Sequence, residues 1–360
     1  MPIQDWQRAD TVVLHRSPGA DPYGPDDFYA SAREVMDALD VEITKPKVTL
    51  KPNVVSGVSP DSGITVHPEF LRGIVEHLMQ RGIEPSSISV AEGGGGEENR
   101  DMSVHYHNVG FDVLAEDLGF NLVDLNADDY VRVDIPAGVV FQQMPIGKTV
   151  WDPDAFFINI PKMRTHNFGI TTISLKNLQG IVVPLEERHM CTMFPRYPGD
   201  RGGLEVSTGE IDTHQRWAHK ICDISLARTP DLNIVDALIP RDGTGFNNGA
   251  NRPMGLTLAG INQTAVDTIG TALLGIDPRH VTYLNVAGER GMGPNRVADI
   301  RVLELSDGEL RERASISDLV ADPPFRVTLS QGLRYKTFEN VAYNNPEVEE
   351  GHAQMLARNA

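Results

Sequence analysis

Four side chains that can carry positive charge, Lys162, Arg164, His166 and Lys176, fall close together, and no Asp or Glu lies between Pro161 and Gly180. Elsewhere the chain is acidic, with 50 Asp and Glu against 32 Lys and Arg and a net charge of −18. A local reversal of sign in such a chain marks a place where an anion could be held. The competing reading is a basic loop in solvent. Against it, Ile170, Ile173, Leu175, Leu178, Ile181, Val182 and Val183 make 171–183 an apolar run. An amine at Lys176 anchored there requires a counter-charge or a ligand. His166 suits proton transfer, since its ordinary pKa lies near neutrality and neighbouring cations would keep it a neutral base. Asn177, beside Lys176, would orient the bound group.

The elements that would position these groups follow from hydrophobic period. Residues 155–160 are short, apolar and β-rich, and Pro161 closes them, which predicts an interior strand with the basic loop 161–176 at its end. A strand over 47–50 runs into Lys51-Pro52-Asn53, placing one cation and one amide just beyond a strand's carboxyl end, where open α/β sheets bind ligands. A surface Lys and a turn-forming Asn explain that pair equally well. Pro68 opens a helix over 68–80, so His67 is either a neutral donor to substrate or the cap of that helix. The strand at 88–91 ends at Glu92, a candidate base or ligand ahead of four glycines. Those glycines lack the Lys and Ser/Thr of a phosphate loop and read as a turn.

His105 and His107 would share one side of an extended segment and could bind a metal with Glu92; scattered surface histidines are the plainer reading. His189 with Cys191 is a further weak metal pair. A strand near 232–236 carries Asp236, which could hold Lys176, orient His166, bind metal or cap the next turn. The segment Arg241 to Gly249 is a glycine loop without the strand and helix order of a dinucleotide site. Asp267, inside a helix over 264–274, is expected to pair internally.

Strand and helix patterns alternate from residue 11 to about 290, with a hairpin at 130–134 and 139–144 appended to the sheet. The expected fold is α/β, a twisted, mostly parallel sheet with helices on both faces and a cleft between two lobes. The expected division is a first lobe over 1–213, including the anion loop 161–180 and an irregular stretch 184–213; a second lobe over 214–330; and an extension over 331–360. The stretch 184–213 is too long for an ordinary connection and reads as a lid, an oligomer contact or a disordered excursion. Beyond Val302 the chain is charged and little patterned.

Several ordered blocks carry a resemblance: KPNVV at Lys51, HPEFLRGIVEHL at His67, IPKMRTHNFGITTISLKNLQG at Ile160, VDALIPRDGTGFNNG at Val235 and LAGINQTAVDTIGTALLGID at Leu258. Together they resemble the DUF362 family over roughly residues 45–295. Some longer members carry a ferredoxin-like module with cysteine-ligated iron–sulfur clusters. With two cysteines, Cys191 and Cys222, this chain departs from them. No iron–sulfur cluster is expected, since such clusters usually take four thiolates. The order His166, Lys176, Gly180 also resembles the N-terminal region of nickel-pincer lactate racemases. There the matching His takes part in proton transfer and the matching Lys carries the cofactor, although SLKN here replaces a Gly-Gly-Arg-Lys-Ser type of sequence. That resemblance implies a divalent metal or a nickel-pincer-like cofactor on Lys176.

The acidic balance argues against a partner that is nucleic acid bound through its phosphates. No apolar run reaches the length of a membrane span, and the amino terminus lacks a signal peptide's basic start, so the cytoplasm is the default expectation. The first functional expectation is an enzyme, with a homo-oligomer left open, that acts on a small carboxylate or phosphate by His-assisted isomerisation, elimination or redox chemistry. The second is an electron-transfer or ligand-binding component.

Overall fold

The structure is a computed structural model of the 360-residue chain and describes residues 5–54, 57–94, 101–190, 210–246 and 248–328. The expected extension 331–360 and most of the stretch 184–213 lie outside the described residues. Along the chain run β1 (Thr11–Arg16), α1 (Pro25–Leu39), β2 (Lys47–Pro52), α2 (Pro68–Gln80), β3 (Ile88–Glu92), α3 (Met102–Val109), α4 (Phe111–Leu118) and β4 (Asn121–Asp124). Next come β5 (Tyr130–Asp134), β6 (Gln143–Gly147), α5 (Lys148–Trp151), β7 (Ala155–Ile160), β8 (Lys162–His166), β9 (Ile170–Thr172) and α6 (Ser174–Asn177). The remainder is α7 (Leu185–Met190), α8 (Glu210–Ala227), β10 (Leu232–Arg241), β11 (Leu256–Gly260), α9 (Gln263–Leu273), α10 (Thr282–Glu289), β12 (Arg301–Ser306) and β13 (Glu309–Arg313).

Eleven strands make one sheet in the order β13-β12-β1-β11-β10-β7-β2-β3-β4, with β8 and β9 joined to it through β10. Six of its ten pairings are parallel, so the sheet is mixed and mostly parallel. Successive residues of a strand feed opposite faces. On β7, Ile158 and Ile160 join an apolar layer with Phe28, Val35, Phe70 and Ile74 of α1 and α2. Phe157 joins the opposite layer with Ile221, Val266, Ile269 and Leu284 of α8, α9 and α10. Helices on both faces explain why the central strands are apolar throughout. Strands from both sides of residue 213 hydrogen-bond within this one sheet.

Three sequence expectations change. The segment after Pro161 is a strand, not a loop. The long β10 pairs first with β7 at Leu232 and Asn233, then with β8 at Asp236 and Arg241. Pro161 is the joint between them, since it has no N–H to donate and its carbonyl accepts Asp236 N at 2.9 Å. The hairpin of β5 and β6 is a separate two-stranded sheet, bridged at Ile146 to Val182 rather than appended to the main one. The charged region after Val302 holds β12, parallel to β1, and the edge strand β13. Its outward charges hide the alternation, because an edge strand keeps one side in water. No helix among the described residues is long and apolar enough to cross a membrane.

Candidate functional site

The ends of β2, β3, β7 and β8 gather the polar residues that the sequence singled out. At the end of β2, Lys51 is 1% exposed and its Nζ lies 2.7 Å from Glu92 Oε1 at the end of β3. Glu92 also accepts from Val54 N and Gly93 N, so its carboxylate is fully engaged. Burial pulls the Lys51 amine below its ordinary pKa, and Glu92 opposes that pull. Asn177 links this pair to the rest: its Nδ2 donates to Asn159 Oδ1 and Lys51 O, and its Oδ1 accepts from Asn53 Nδ2 at 3.2 Å. Asn53 and Asn177 therefore brace each other instead of facing outward as substrate amides.

Gly180 presses on this pair. A Cβ there would collide with Glu92 Oε1 and lie 3.0 Å from Lys51 Nζ. Only a glycine lets the turn after α6 approach so closely.

A second buried pair joins Lys162 Nζ to Asp236 Oδ1 at 2.8 Å, with the amine also 5.3 Å from the Phe28 ring. Asp236 Oδ2 accepts His67 N. The expectation that Asp236 holds Lys176 or orients His166 is thus corrected: in β10 it stands directly beside Lys162 in register. His67 stacks on Phe28 at 4.1 Å, and its Nδ1 accepts from Glu69 N to cap α2. Its pKa falls to about 4, chiefly through burial. The capping role is therefore present.

Further along the same side of β8 are Arg164 and His166. Arg164 is 1% exposed, yet no carboxylate pairs with it among the described residues. Its Nη1 donates to Gly245 O at 3.0 Å, its guanidinium lies 4.3 Å from the Phe246 ring, and its buried Nε has no hydrogen-bond partner among the described residues. Burial, reinforced by Arg241, lowers its pKa to about 9. The glycine loop after β10 is what closes over this guanidinium. At Gly245, φ is +73°, and a Cβ would meet Thr165 O and approach Arg164 Nη1 at 2.9 Å.

His166 packs edge-on against the same Phe246 at 5.5 Å. Its Nδ1 accepts from Phe168 N and Gly169 N, both at 3.0 Å, in the turn between β8 and β9. Two donors aimed at Nδ1 place the proton of a neutral ring on Nε2. Nδ1 is thereby occupied as an acceptor.

Lys176 sits on α6, partly buried, and its amine makes no hydrogen bond or ion pair to a described residue. Burial, then Arg164 and then Lys51 bring its pKa down to about 7, with Glu92 a smaller opposing influence. The helix carrying it is pinned by Asp267, whose buried carboxylate accepts Ser174 N at 2.7 Å and Leu175 N at 3.0 Å. Burial raises the Asp267 pKa to about 7. Asp267 does pair internally.

The metal candidates do not converge. In α3, residues two apart point to different sides, so His105 is buried with Nδ1 3.4 Å from Val54 O, while His107 is exposed and pairs with Asp112. The expectation of both imidazoles on one side is thus corrected. The side chain of His189 lies outside the described residues. No group of three His, Cys, Asp or Glu that could hold a metal occurs among the described residues. For the pincer-type cofactor, the Lys176 amine suits attachment because no described residue holds it. Beyond that amine, no group of three metal-ligating side chains among the described residues stands ready to complete such a site.

Arg241, Gly245, Phe246 and the pinning role of Asp267 are site features that the sequence reading missed. The signal for the first three is the glycine loop itself, which lacks a nucleotide fingerprint.

Residues 48–272 match the protein family described as a domain of unknown function, DUF362, and the chain belongs to that family. A relative from Synechocystis sp. (strain ATCC 27184 / PCC 6803 / Kazusa), the thylakoid-associated protein sll1697, is 24% identical over 279 residues, covering 76% of this chain and 78% of that one. Among solved structures, the lactate racemase apoprotein from Thermoanaerobacterium thermosaccharolyticum aligns with a TM-score of 0.41 and 14% identity, over 73% of this chain and 56% of that one. A protein from Thermotoga maritima aligns with a TM-score of 0.36 and 13% identity, over 65% of this chain and 54% of that one. The chain therefore spans little more than half the length of either solved structure.

Proposed function

We propose that the chain is an enzyme that moves a proton on a small anionic substrate held at Arg164 and Lys176. The observation that carries this reading is the pair itself: a buried guanidinium and a nearby amine with no carboxylate partner among the described residues. Uncompensated buried charge is costly to fold, which makes a ligand the natural counter-charge.

In this reading Lys176 is the base. With a pKa of about 7, a substantial fraction of its amine is unprotonated at neutral pH, whereas an ordinary lysine is almost wholly charged. It takes a proton from the carbon next to a carbonyl or carboxyl group. Arg164 and the Nε2–H of His166 then stabilise the negative charge that develops on oxygen. Lys51 and Lys162, each neutralised by its own carboxylate, are frame rather than substrate contacts. The reaction class is isomerisation or elimination.

The test is to incubate the full chain in deuterium oxide with panels of small 2-oxo, 2-hydroxy and 2-amino acids and their phosphorylated counterparts, reading deuterium uptake by NMR. Exchange is expected on one panel, with Lys176→Met and His166→Gln each slowing it by about 100-fold or more. Exchange that survives unchanged in both variants would contradict the roles of base and donor.

A further inference from the structure

The charge balance around Arg164 goes beyond saying that the ligand is an anion. Lys51 is cancelled by Glu92 at 2.7 Å, Lys162 by Asp236 at 2.8 Å, and Arg326 by Asp242 at 3.0 Å. Arg241, which acts on Arg164 through space, spends its N–H groups on Phe246 O, Ser62 O and Asn251 Oδ1. Those acceptors are uncharged, so they satisfy hydrogen bonds without removing its charge. Arg164, Arg241 and Lys176 are left with no carboxylate partner among the described residues.

The geometry of Arg164 fixes which edge a ligand meets. Phe246 covers one face and Gly245 O takes Nη1, while Nε is buried without a partner among the described residues. The edge formed by Nε and Nη2 presents two parallel N–H groups, the fork that matches two oxygens of one oxyanion.

Resting on the reading that Arg164 and Lys176 hold the substrate, we infer that this substrate is a dianion, with one of its oxyanion groups side-on against the Nε and Nη2 edge of Arg164. Even with Lys176 unprotonated in its role as base, a monoanion would leave one positive charge of Arg164 and Arg241 uncompensated, which a low-dielectric site penalises. A phosphate ester and a dicarboxylate share the required charge. They differ in the shape of the group at the fork, tetrahedral in one and planar in the other.

Calorimetric titration of the full chain at pH 7 and constant ionic strength with sulfate, malonate and acetate tests this. Sulfate or malonate is expected to bind at least about tenfold more tightly than acetate, and the tighter of the two assigns the phosphoryl or the dicarboxylate class. Lys176→Gln removes an amine that makes no hydrogen bond to a described residue, so the fold survives, and at pH 7, where that amine is partly protonated, the preference for a dianion should shrink to about threefold or less. Arg164→Lys keeps the charge and loses the fork, and should weaken the dianion by about tenfold. Should Arg164→Lys fail to fold, the native protein and Lys176→Gln decide the matter. Acetate binding as tightly as both dianions, no binding of any of the three, or a preference left intact in either folded variant would overturn the inference. Acetate-like binding accompanied by deuterium exchange would remove the dianion and keep the proton-transfer reading. Dianion binding without exchange on any panel would do the reverse.

Discussion

Asp236 grips Lys162, with Oδ1 and Nζ 2.8 Å apart and neither side chain open to solvent. Removing one partner strands the other charge in the interior, and here also leaves His67 N without its acceptor. Asp236→Ala should therefore cost about 3–5 kcal/mol in chemical denaturation. The double replacement Lys162→Met with Asp236→Leu should recover most of that loss, since no buried charge remains. A single variant as stable as the native protein would show that the pair is not buried as described.

Lys176 is expected to weaken the fold that carries it. Its folded pKa of about 7 lies below the ordinary value of 10.5, so between these values the unfolded chain binds more protons and native stability rises with pH. Lys176→Met should raise stability by about 1–2 kcal/mol at pH 6.5, the sign expected where a site holds strain for function. The advantage should shrink steadily on the way to pH 10.5. Denaturation curves at several pH values would check both the gain and its slope.

His67 gives the opposite end of the pH range its own signature. Its folded pKa of about 4 lies below the ordinary 6.5, so the stability tied to its neutral form is complete above 6.5 and is lost as pH falls through 4. His67→Asn keeps a side-chain acceptor for the start of α2 and has no charge to gain. This variant should lose about 2–3 kcal/mol less than the native protein between pH 6.5 and 4. Parallel acid curves for the two proteins would contradict the assignment.

Gly180→Ala should open the Lys51 and Glu92 pair, because the added methyl group occupies the space next to Glu92 Oε1. A loss of about 2–3 kcal/mol is expected, measured as a drop in midpoint denaturant concentration. The same substitution at Gly82, where nothing lies within 4 Å but φ is +88°, costs only backbone strain and serves as the comparison.

Much of this architecture was legible in the sequence. The alternation read from residue 11 begins with β1 at Thr11, and α2 begins at Pro68 as its helix-starting proline requires. The clustering of Lys51, Glu92, Arg164 and Lys176 near strand ends also follows from alternating strand and helix patterns. Partner choice did not follow. Whether Asp236 meets Lys162 or Lys176 depends on the register of β8 against β10, a non-local pairing that periodicity cannot supply. His166 is a related case: ring chemistry suggests proton transfer, while the turn at Phe168 and Gly169 decides which nitrogen holds the proton. His105 and His107 part because their segment is helical, and a two-residue spacing changes meaning between helix and strand.

The central claim is that Lys176 is an amine titrating near neutrality beside Arg164. NMR titration of lysine labelled with carbon-13 at Cε, with the Lys176 signal assigned by its loss in Lys176→Arg, measures this directly. A midpoint of about 7 is expected. A midpoint near the ordinary 10.5 would mean that the amine is solvated or paired, and the proposed base would be lost.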